Sequence, residues 1–165
     1  MPTNLPVPIK FELPDGWRAE PPDEAGAPGA AFVASFRHPD AGFTANITID
    51  GEYRPDMAPL SAIADESVQR LRQGTASVQV VERREVGTAD APGLTQTLAL
   101  SVVADRTCRD LVQSQVYLSM LDADDHRRRS VIRLVLTSTA SQHTTVLEDF
   151  RDFVRTVRPD TASSA

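Results

Sequence analysis

The sequence has very few residues of two kinds that support specific chemistry, cysteine and lysine. Cys108 is the only cysteine, and Lys10 is the only lysine among 17 basic residues. A single cysteine excludes an internal disulfide and any metal site built from several thiolates of one chain. We therefore expect Cys108 to be a half-buried strand or turn residue. The preference for arginine is typical of a high-GC bacterial genome and indicates no chemistry by itself.

Charge and hydrophobicity exclude further classes of protein. The net charge of -6 disfavours a nucleic-acid partner, because binding to phosphates depends on Lys and Arg. Hydrophobic residues make up 41% and charged residues 24%, as in ordinary globular domains rather than disordered or membrane-spanning chains. The N-terminal residues lack the apolar core of a signal peptide and a lipobox cysteine. We expect a cytoplasmic bacterial protein without membrane insertion.

Sequence motifs of catalysis and cofactor binding are also missing. The chain has no G-x-S-x-G elbow, no P-loop, no G-x-G-x-x-G and no H-E-x-x-H. His38 precedes a proline in an expected turn and is interpreted as a surface histidine. The acidic run at residues 122–125 lacks the Gly and Glu of an EF-hand loop and is followed by three arginines, so it predicts a solvated hairpin tip. We expect a protein that is not an enzyme and that has no cofactor and no metal site.

The clearest folding signal is a helical pattern in residues 140–159. Its apolar residues recur at the spacing of one helix face: Val146, Leu147, Phe150, Phe153, Val154 and Val157. Thr145 and Glu148 fit a capping box, with Ser141 as an alternative start, and Pro159 is expected to end the helix. So wide an apolar face needs a sheet beneath it.

The first part of the chain predicts strands. A short alternation begins at Ile9 and ends in a turn before Trp17, which is expected to close one end of the core. Residues 20–29 are acidic and rich in Pro and Gly, and predict a mobile loop. Alternation up to Phe36 and again from Phe43 predicts a hairpin. On its second strand we expect Phe43, Ala45, Ile47 and Ile49 to face the helix, and Thr44, Asn46, Thr48 and Asp50 to form a wet face.

A second helix and four strands complete the predicted fold. Pro59 and Gly74 bound a helical pattern whose inner side chains are small. Period-two runs follow at residues 77–88, 94–104, 109–121 and 130–139, separated by turns of hairpin length. The prediction is one α+β domain with an antiparallel sheet of six to seven strands in the order βββ-α-ββββ-α, flanked by helices. Its ordered core would span residues 8–159, followed by a disordered tail at 160–165.

Three stretches in this order carry a family resemblance. They are F-E-L-P-D-G-W-R at residues 11–18, V-G-T before A-P-G-L at residues 86–94, and F-x-x-F-V-x-T-V-R at residues 150–158. With them the chain resembles the PsbP-like α-β-α sandwiches, and within these the LpqN-type and DcrB-type small bacterial domains. The resemblance implies a binding, adaptor or chaperone-like protein and provides no catalytic positions. LpqN-type proteins are commonly lipoproteins, whereas this chain has no lipobox.

These observations predict a non-catalytic domain that binds another protein between the first helix and the sheet. The candidate contact residues are Leu60, Ile63, Ser67 and Leu71. The hypothesis requires the three apolar residues of this set to be partly exposed. A second copy of the chain stays open as a partner. The alternative from another class is a helix-grip-like sandwich that closes over a small apolar ligand or a reaction, although three strands before the first helix argue against it.

Overall fold

The computed structural model describes residues 5, 9–24, 29–40, 42–88, 91–104, 106–121 and 129–159. Its elements in chain order are β1 (Ile9–Lys10), β2 (Trp17–Glu20), β3 (Phe32–Phe36), β4 (Asn46–Tyr53), α1 (Leu60–Gly74), β5 (Ser77–Gly87), β6 (Pro92–Ala104), β7 (Thr107–Leu121), β8 (Arg129–Thr139), α2 (His143–Thr156) and β9 (Arg158–Pro159). Seven strands form one antiparallel sheet in the spatial order β2-β3-β4-β8-β7-β6-β5. The predicted α+β class, with a seven-stranded sheet and flanking helices, is confirmed.

The predicted element order holds for the main sheet, but its first strand is a different one. We predicted a strand from Ile9, whereas β1 is only two residues long and pairs with β9 outside the main sheet. The first strand of the main sheet is β2, which begins at Trp17. The backbone N–H of Trp17 donates to the Pro14 carbonyl at 3.3 Å, and Gly16 has a φ of 91° that favours glycine. The chain therefore reverses before Trp17 and pairs with β3.

Some predicted segments fall partly or wholly outside the described residues. They include residues 25–28 of the predicted mobile loop, residues 122–128 of the predicted hairpin tip, and the predicted tail at 160–165.

The two helices lie on opposite faces of the sheet. α1 lies over β5, β6 and β7, and α2 lies over β8. Because both faces of β8 are covered, alternate residues of this strand belong to different clusters. On β8, Ile132 and Leu134 pack in the α2 cluster, whereas Val131 packs in the α1 cluster. This two-sided cover explains why nearly every residue of β8 is buried.

The larger core lies under α2 and is closed by residues 9–13, here named the N-terminal segment. Phe150 and Phe153 are fully buried in it. The Phe11 ring packs edge-on against Phe153 at 5.2 Å between centroids, so the N-terminal segment covers one flank of α2. Trp17 is buried in the same cluster, and its Nε1 donates to Asp149 Oδ2 at 3.0 Å. The predicted role of Trp17 as an anchor of the core is confirmed.

The predicted register of β4 is confirmed, with one exception before the strand. Ala45, Ile47 and Ile49 are fully buried toward α2, and the alternate polar residues are partly or fully exposed. Phe43 was expected in the same buried row, which is wrong. It pairs with Asp40 ahead of β4 and packs, half-buried, against the apolar cluster under α1.

The start of α2 differs from the predicted capping box. α2 begins two residues before Thr145, and its N-cap residue, Gln142, makes no side-chain cap hydrogen bond. Thr145 and Glu148 therefore do not form the cap. The turn ahead of α2 is held instead by Asp40, whose Oδ2 accepts a hydrogen bond from Ser141 Oγ at 2.6 Å. This contact is long-range in sequence, so a local capping pattern does not reveal it.

Two further expectations are wrong in detail. α2 ends at Thr156 rather than at Pro159, because the next residues leave the helix to pair with β1. Thr156 Oγ1 accepts a hydrogen bond from the Glu12 backbone N–H at 2.9 Å, which fixes this end. Cys108 is exposed rather than half-buried. It pairs with Val103, which is also exposed, at the end of the β6–β7 hairpin.

Candidate functional site

The residues predicted to contact a partner lie beneath α1. Leu60 is 9% exposed, and Ile63 and Ser67 are each 2% exposed, while Leu71 is half-buried. Leu60 and Ile63 pack in one cluster with Tyr117 of β7. The expected exposure of these two residues is therefore wrong, because the inner face of α1 rests directly on the sheet. The four residues share one helix face, but three of them offer little accessible surface.

A belt of hydrogen-bonded polar side chains crosses the sheet beneath α1. On β6 and β7, Gln96 Nε2 donates to Gln115 Oε1 at 2.7 Å. The Tyr117 hydroxyl lies 2.7 Å from Gln115 Oε1 and 2.8 Å from Ser67 Oγ on the helix. Arg133 Nη1 of β8 donates to the same Ser67 Oγ at 2.9 Å. The belt separates the apolar contacts of α1 into two clusters.

The belt ends in an ion pair between Arg133 and Asp50 on β4. Arg133 Nη2 lies 2.5 Å from Asp50 Oδ2. Desolvation by itself would lower the pKa of Arg133, but its contacts with Asp50 and Tyr117 together raise that pKa above its usual value. Burial also raises the pKa of Tyr117. Because its groups largely satisfy one another, we interpret the belt as a structural network that fixes α1 on the sheet.

Each helix covers about half of its sheet face, and the part of the chain that the structure describes leaves the other two halves open. On the face of α1, the open half lies over β2, β3 and β4. It forms a recess of about 630 Å³. Polar side chains line most of it, among them Arg18, Ser35, Arg37, Asn46 and Thr48. This recess includes the wet face predicted for β4, and its polar side chains suit contact with water.

The other open half lies beside α2, over β5, β6 and β7, and is here named the α2 groove. It has a volume of about 450 Å³. Its strand side is formed by Glu82, Arg84, Val86, Thr95, Thr97 and Leu118. Its helix side is formed by Leu147, Arg151, Val154 and Arg155. The groove runs along the flank of α2 that the N-terminal segment leaves uncovered.

Cross-strand rows connect the α2 groove to the core. One row consists of Ile132, Leu118, Gly93 and Val86 on β8, β7, β6 and β5. It is apolar throughout, and it passes from a fully buried residue to a valine that is 39% exposed. Gly93 leaves no room for a side chain in this row, since a Cβ there would lie 3.1 Å from Val86 Cγ2 and 3.3 Å from the Tyr117 carbonyl oxygen. The apolar surface of the core thus continues to the open edge of the sheet.

Arginines dominate the rim of the α2 groove. Arg151 and Arg155 lie one turn apart on α2, and Arg84 lies on the β5 side. Arg84 has a carboxylate partner at 3.4 Å and Arg155 one at 2.8 Å, both on the protein surface. Arg151 makes no hydrogen bond or ion pair with any residue that the structure describes. The rim is therefore locally positive on a chain whose net charge is -6.

His143, the first residue of α2, lies next to the groove floor. Its Nε2 is 3.4 Å from Ser114 Oγ of β7, and its Nδ1 is 3.3 Å from Ser138 Oγ of β8. Burial, and secondarily the charge of Arg151, lower the pKa of His143 below its usual value. The imidazole, which lies between two hydroxyl groups, is therefore protonated less readily than an exposed histidine.

Sequence reasoning missed the residues of the α2 groove. Leu147 and Val154 were assigned to the apolar stripe of the last helix, and the arginines beside them were not recognised as part of a site. The available signal was the pairing of these two apolar residues with Arg151 and Arg155 on one flank of the helix. Within the described ranges, no cluster of three His, Cys, Asp or Glu residues could hold a metal ion, and no helix is long and apolar enough to cross a membrane.

Comparisons with known proteins show the fold. No protein-family model and no curated protein sequence matches the chain. Its structure is similar to that of LpqN, involved in cell envelope biogenesis of Mycobacterium tuberculosis, with a TM-score of 0.64 at 12% identity, over 92% of this chain and 84% of LpqN. It is also similar to the Ran-binding protein Mog1p of Saccharomyces cerevisiae, with a TM-score of 0.63 at 14% identity, over 93% of this chain and 92% of Mog1p.

A third similar structure is the cyanobacterial PsbP of Synechocystis sp. PCC 6803, with a TM-score of 0.57 at 16% identity. The match covers 92% of this chain and 86% of that protein. The chain therefore has the PsbP-like, LpqN-like fold that its sequence resemblance implied. At these identities the likeness shows the fold alone.

Proposed function

We propose that this chain is a non-catalytic domain that binds another protein, and that the α2 groove holds a segment of that partner. The observation that carries the proposal is the apolar row from Ile132 to Val86, which continues from the core to an edge over which the described residues place no helix. Apolar surface that stays open in an isolated domain commonly marks an interaction site. The recess on the other face is lined mostly by polar side chains.

The similar folds support a binding role by analogy. Mog1p is described as a Ran-binding protein. Fold does not determine function, so the argument for this chain rests on its own groove. We place the protein in the bacterial cytoplasm, as an adaptor-like or chaperone-like domain without nucleic acid as a partner.

The α2 groove favours a macromolecular segment over an enclosed small molecule. A small-ligand pocket usually buries most of its ligand. Here the β5 side of the groove is the edge of the sheet, where the side chain of Arg84 is 68% exposed. A ligand in this groove would therefore stay open to water on one side. The helix-grip-like alternative has less support for this reason.

Site-specific photocrosslinking tests the proposed surface with a matched control. A benzoylphenylalanine replaces Val86, in the groove, or Val103, an exposed valine of β6 outside the lining of the groove. Both proteins are expressed in the source bacterium and irradiated. We expect discrete protein adducts at position 86 that are missing at position 103, with both variants melting like the wild type. The same adducts at both positions, or none at position 86, would contradict the proposal.

A thermal-shift screen with apolar small molecules separates the alternative function. A saturable rise of Tm that Leu118→Lys abolishes would favour small-ligand binding in the groove. We expect no such rise.

A further inference from the structure

Resting on the function proposed above, we infer that the segment held in the α2 groove is an amphipathic helix with acidic residues on its flank. It would lie beside α2 over β5, β6 and β7. Three features of the groove carry this inference: its width, the distribution of its small and apolar side chains, and its charge.

The width of the open half fits one helix. Three adjacent strands span about 14 Å, since neighbouring strands lie about 4.8 Å apart. An α-helix with its side chains is about 10–12 Å across. On the opposite face, the single helix α1 already covers the same three strands. A helix in the α2 groove would therefore complete the layer that α2 leaves incomplete.

The lining of the groove matches one apolar stripe. Its floor has short side chains at Thr95 and Thr97, and the adjoining cross-strand row contains Gly93, which has no side chain. Leu118 in the floor and Val154 on α2 are half-buried apolar residues on either side of this low region. A helix satisfies its own backbone hydrogen bonds, so it needs only apolar contacts from such a floor. Side chains at i, i+3, i+4 and i+7 of the partner would supply them.

The free edge of β5 argues against an added strand. Edge strands are commonly protected from pairing by bulges and charged side chains. β5 has both features, because its register shifts between Val80 and Glu82 and the sequence E-R-R-E follows at residues 82–85. Only a short stretch beyond the shift could pair regularly with an extended peptide. A helix in the groove avoids this edge.

The charge of the rim specifies an acidic flank. Arg151 and Arg155 lie on the helix side, whereas Arg84 on the strand side is paired with Glu82, so the positive charge is concentrated on the helix side. A carboxylate on the flank of the bound helix that faces α2 would lie near Arg151 and Arg155. The net charge of -6 would by itself favour a basic peptide. A preference for an acidic peptide would therefore have to come from this local rim.

Three synthetic peptides of about 16 residues, close to the length of α2, provide the test. The first is an amphipathic helix with a Leu stripe and Glu flanks. The second has Lys in place of every Glu, and the third permutes the first into strict alternation of Leu and Glu. Binding of each labelled peptide to the full chain is measured by fluorescence anisotropy at low salt. We expect the acidic helix to bind at least about tenfold more tightly than either of the others.

Two matched variants test whether the rim causes this preference. Arg151→Glu with Arg155→Glu should reverse it, so that the Lys peptide binds more tightly than the Glu peptide. Arg18→Glu with Arg72→Glu makes the same change of net charge at exposed positions outside the groove and should leave the preference unchanged. Equal effects of the two variants would overturn the assignment of charge specificity to the groove.

The outcomes separate this inference from the proposed function. Tighter binding of the alternating peptide, or of the Lys peptide, would overturn the acidic helix while crosslinks at position 86 still support a partner in the groove. Failure of all three peptides to bind, with those crosslinks present, would also overturn it. Loss of the crosslinks would remove the proposed function itself.

Discussion

Ile47 and Thr48 are adjacent in β4 but lie on opposite faces of the sheet, and truncating each to Ala tests the architecture directly. Ile47 is fully buried in the α2 cluster between Ala34 and Leu136 on the neighbouring strands. Thr48 lies on the other face and lines the polar recess. Because the two residues are adjacent in the same strand, Thr48→Ala is a matched control for Ile47→Ala.

The expected effects of the two truncations differ severalfold. Ile47→Ala removes three buried carbon atoms and leaves a cavity, which costs about 3 kcal/mol. For a domain of this size that lowers Tm by about 6–12 °C. Thr48→Ala removes a half-buried side chain with no described hydrogen bond and should change stability by about 0.5 kcal/mol. Ile47→Asp should prevent folding at room temperature, because a buried carboxyl group adds a desolvation cost to the lost packing.

Urea unfolding followed by tryptophan fluorescence measures both variants, since Trp17 lies in the affected cluster. The midpoints give the difference in stability if the urea dependence of the unfolding free energy is the same for both proteins. Similar midpoints for Ile47→Ala and Thr48→Ala would refute the register of β4. A larger effect of Thr48→Ala would mean that the faces are exchanged.

Three other predictions concern a turn, a titration and a buried ion pair. Gly87→Ala should lower the free energy of unfolding in urea by about 2 kcal/mol, because φ of Gly87 is 81° and a Cβ there would lie 2.3 Å from a backbone oxygen. Gly74→Ala is the control, since a Cβ at that position meets open space and should not lower stability. Because folding lowers the pKa of His143, the protein should lose stability as pH falls below about 6.5, where protonation of this histidine favours the unfolded chain. The Tm of His143→Gln should decline less over the same pH range. Asp50→Asn should lower stability by about 2 kcal/mol because it leaves the Arg133 charge partly buried and unpaired, and Arg133→Met in the same chain should recover part of the loss measured by thermal melting.

Much of the fold could be predicted because its long elements carry strong periodic signals. The predicted strand at residues 130–139 differs from β8 by one residue at its start, and the helix bounded by Pro59 and Gly74 is α1 within one residue. β2 was missed for the opposite reason. It has four residues, and two of them, Arg18 and Glu20, are charged. Only pairing with β3, which a local pattern does not contain, makes this segment a strand.

The candidate site could not be predicted because it depends on which half of each face a helix covers. The partner surface was predicted beneath the first helix, whose inner side chains are small. In the structure, Ala64 and Ser67 are instead buried, because small side chains allow the helix to approach the sheet closely. Small residues on a helix face are thus compatible with an open partner surface or with close packing on a sheet, and only the position of the helix decides between these two interpretations.

The two open halves follow from the geometry of the fold. Seven strands span about 29 Å between the axes of the outer strands, whereas one helix covers about 10–12 Å. One helix on each face therefore cannot cover the sheet, and the described N-terminal residues supply further cover beside one flank of α2. Openness alone does not identify a binding site, since the recess over β2, β3 and β4 is open as well.

The α2 groove is favoured by its apolar row, which runs from the core to the edge of the sheet. Val116 belongs to the α2 cluster, and Leu118 packs against that cluster while it also lines the groove. A partner helix in the groove would bury these residues further and would extend the apolar layer around α2. Binding and stability would then be coupled, because a ligand that binds only the folded state raises the free energy of unfolding with its concentration. Polar side chains line most of the recess on the other face, so a partner there would depend more on hydrogen bonds that water already supplies.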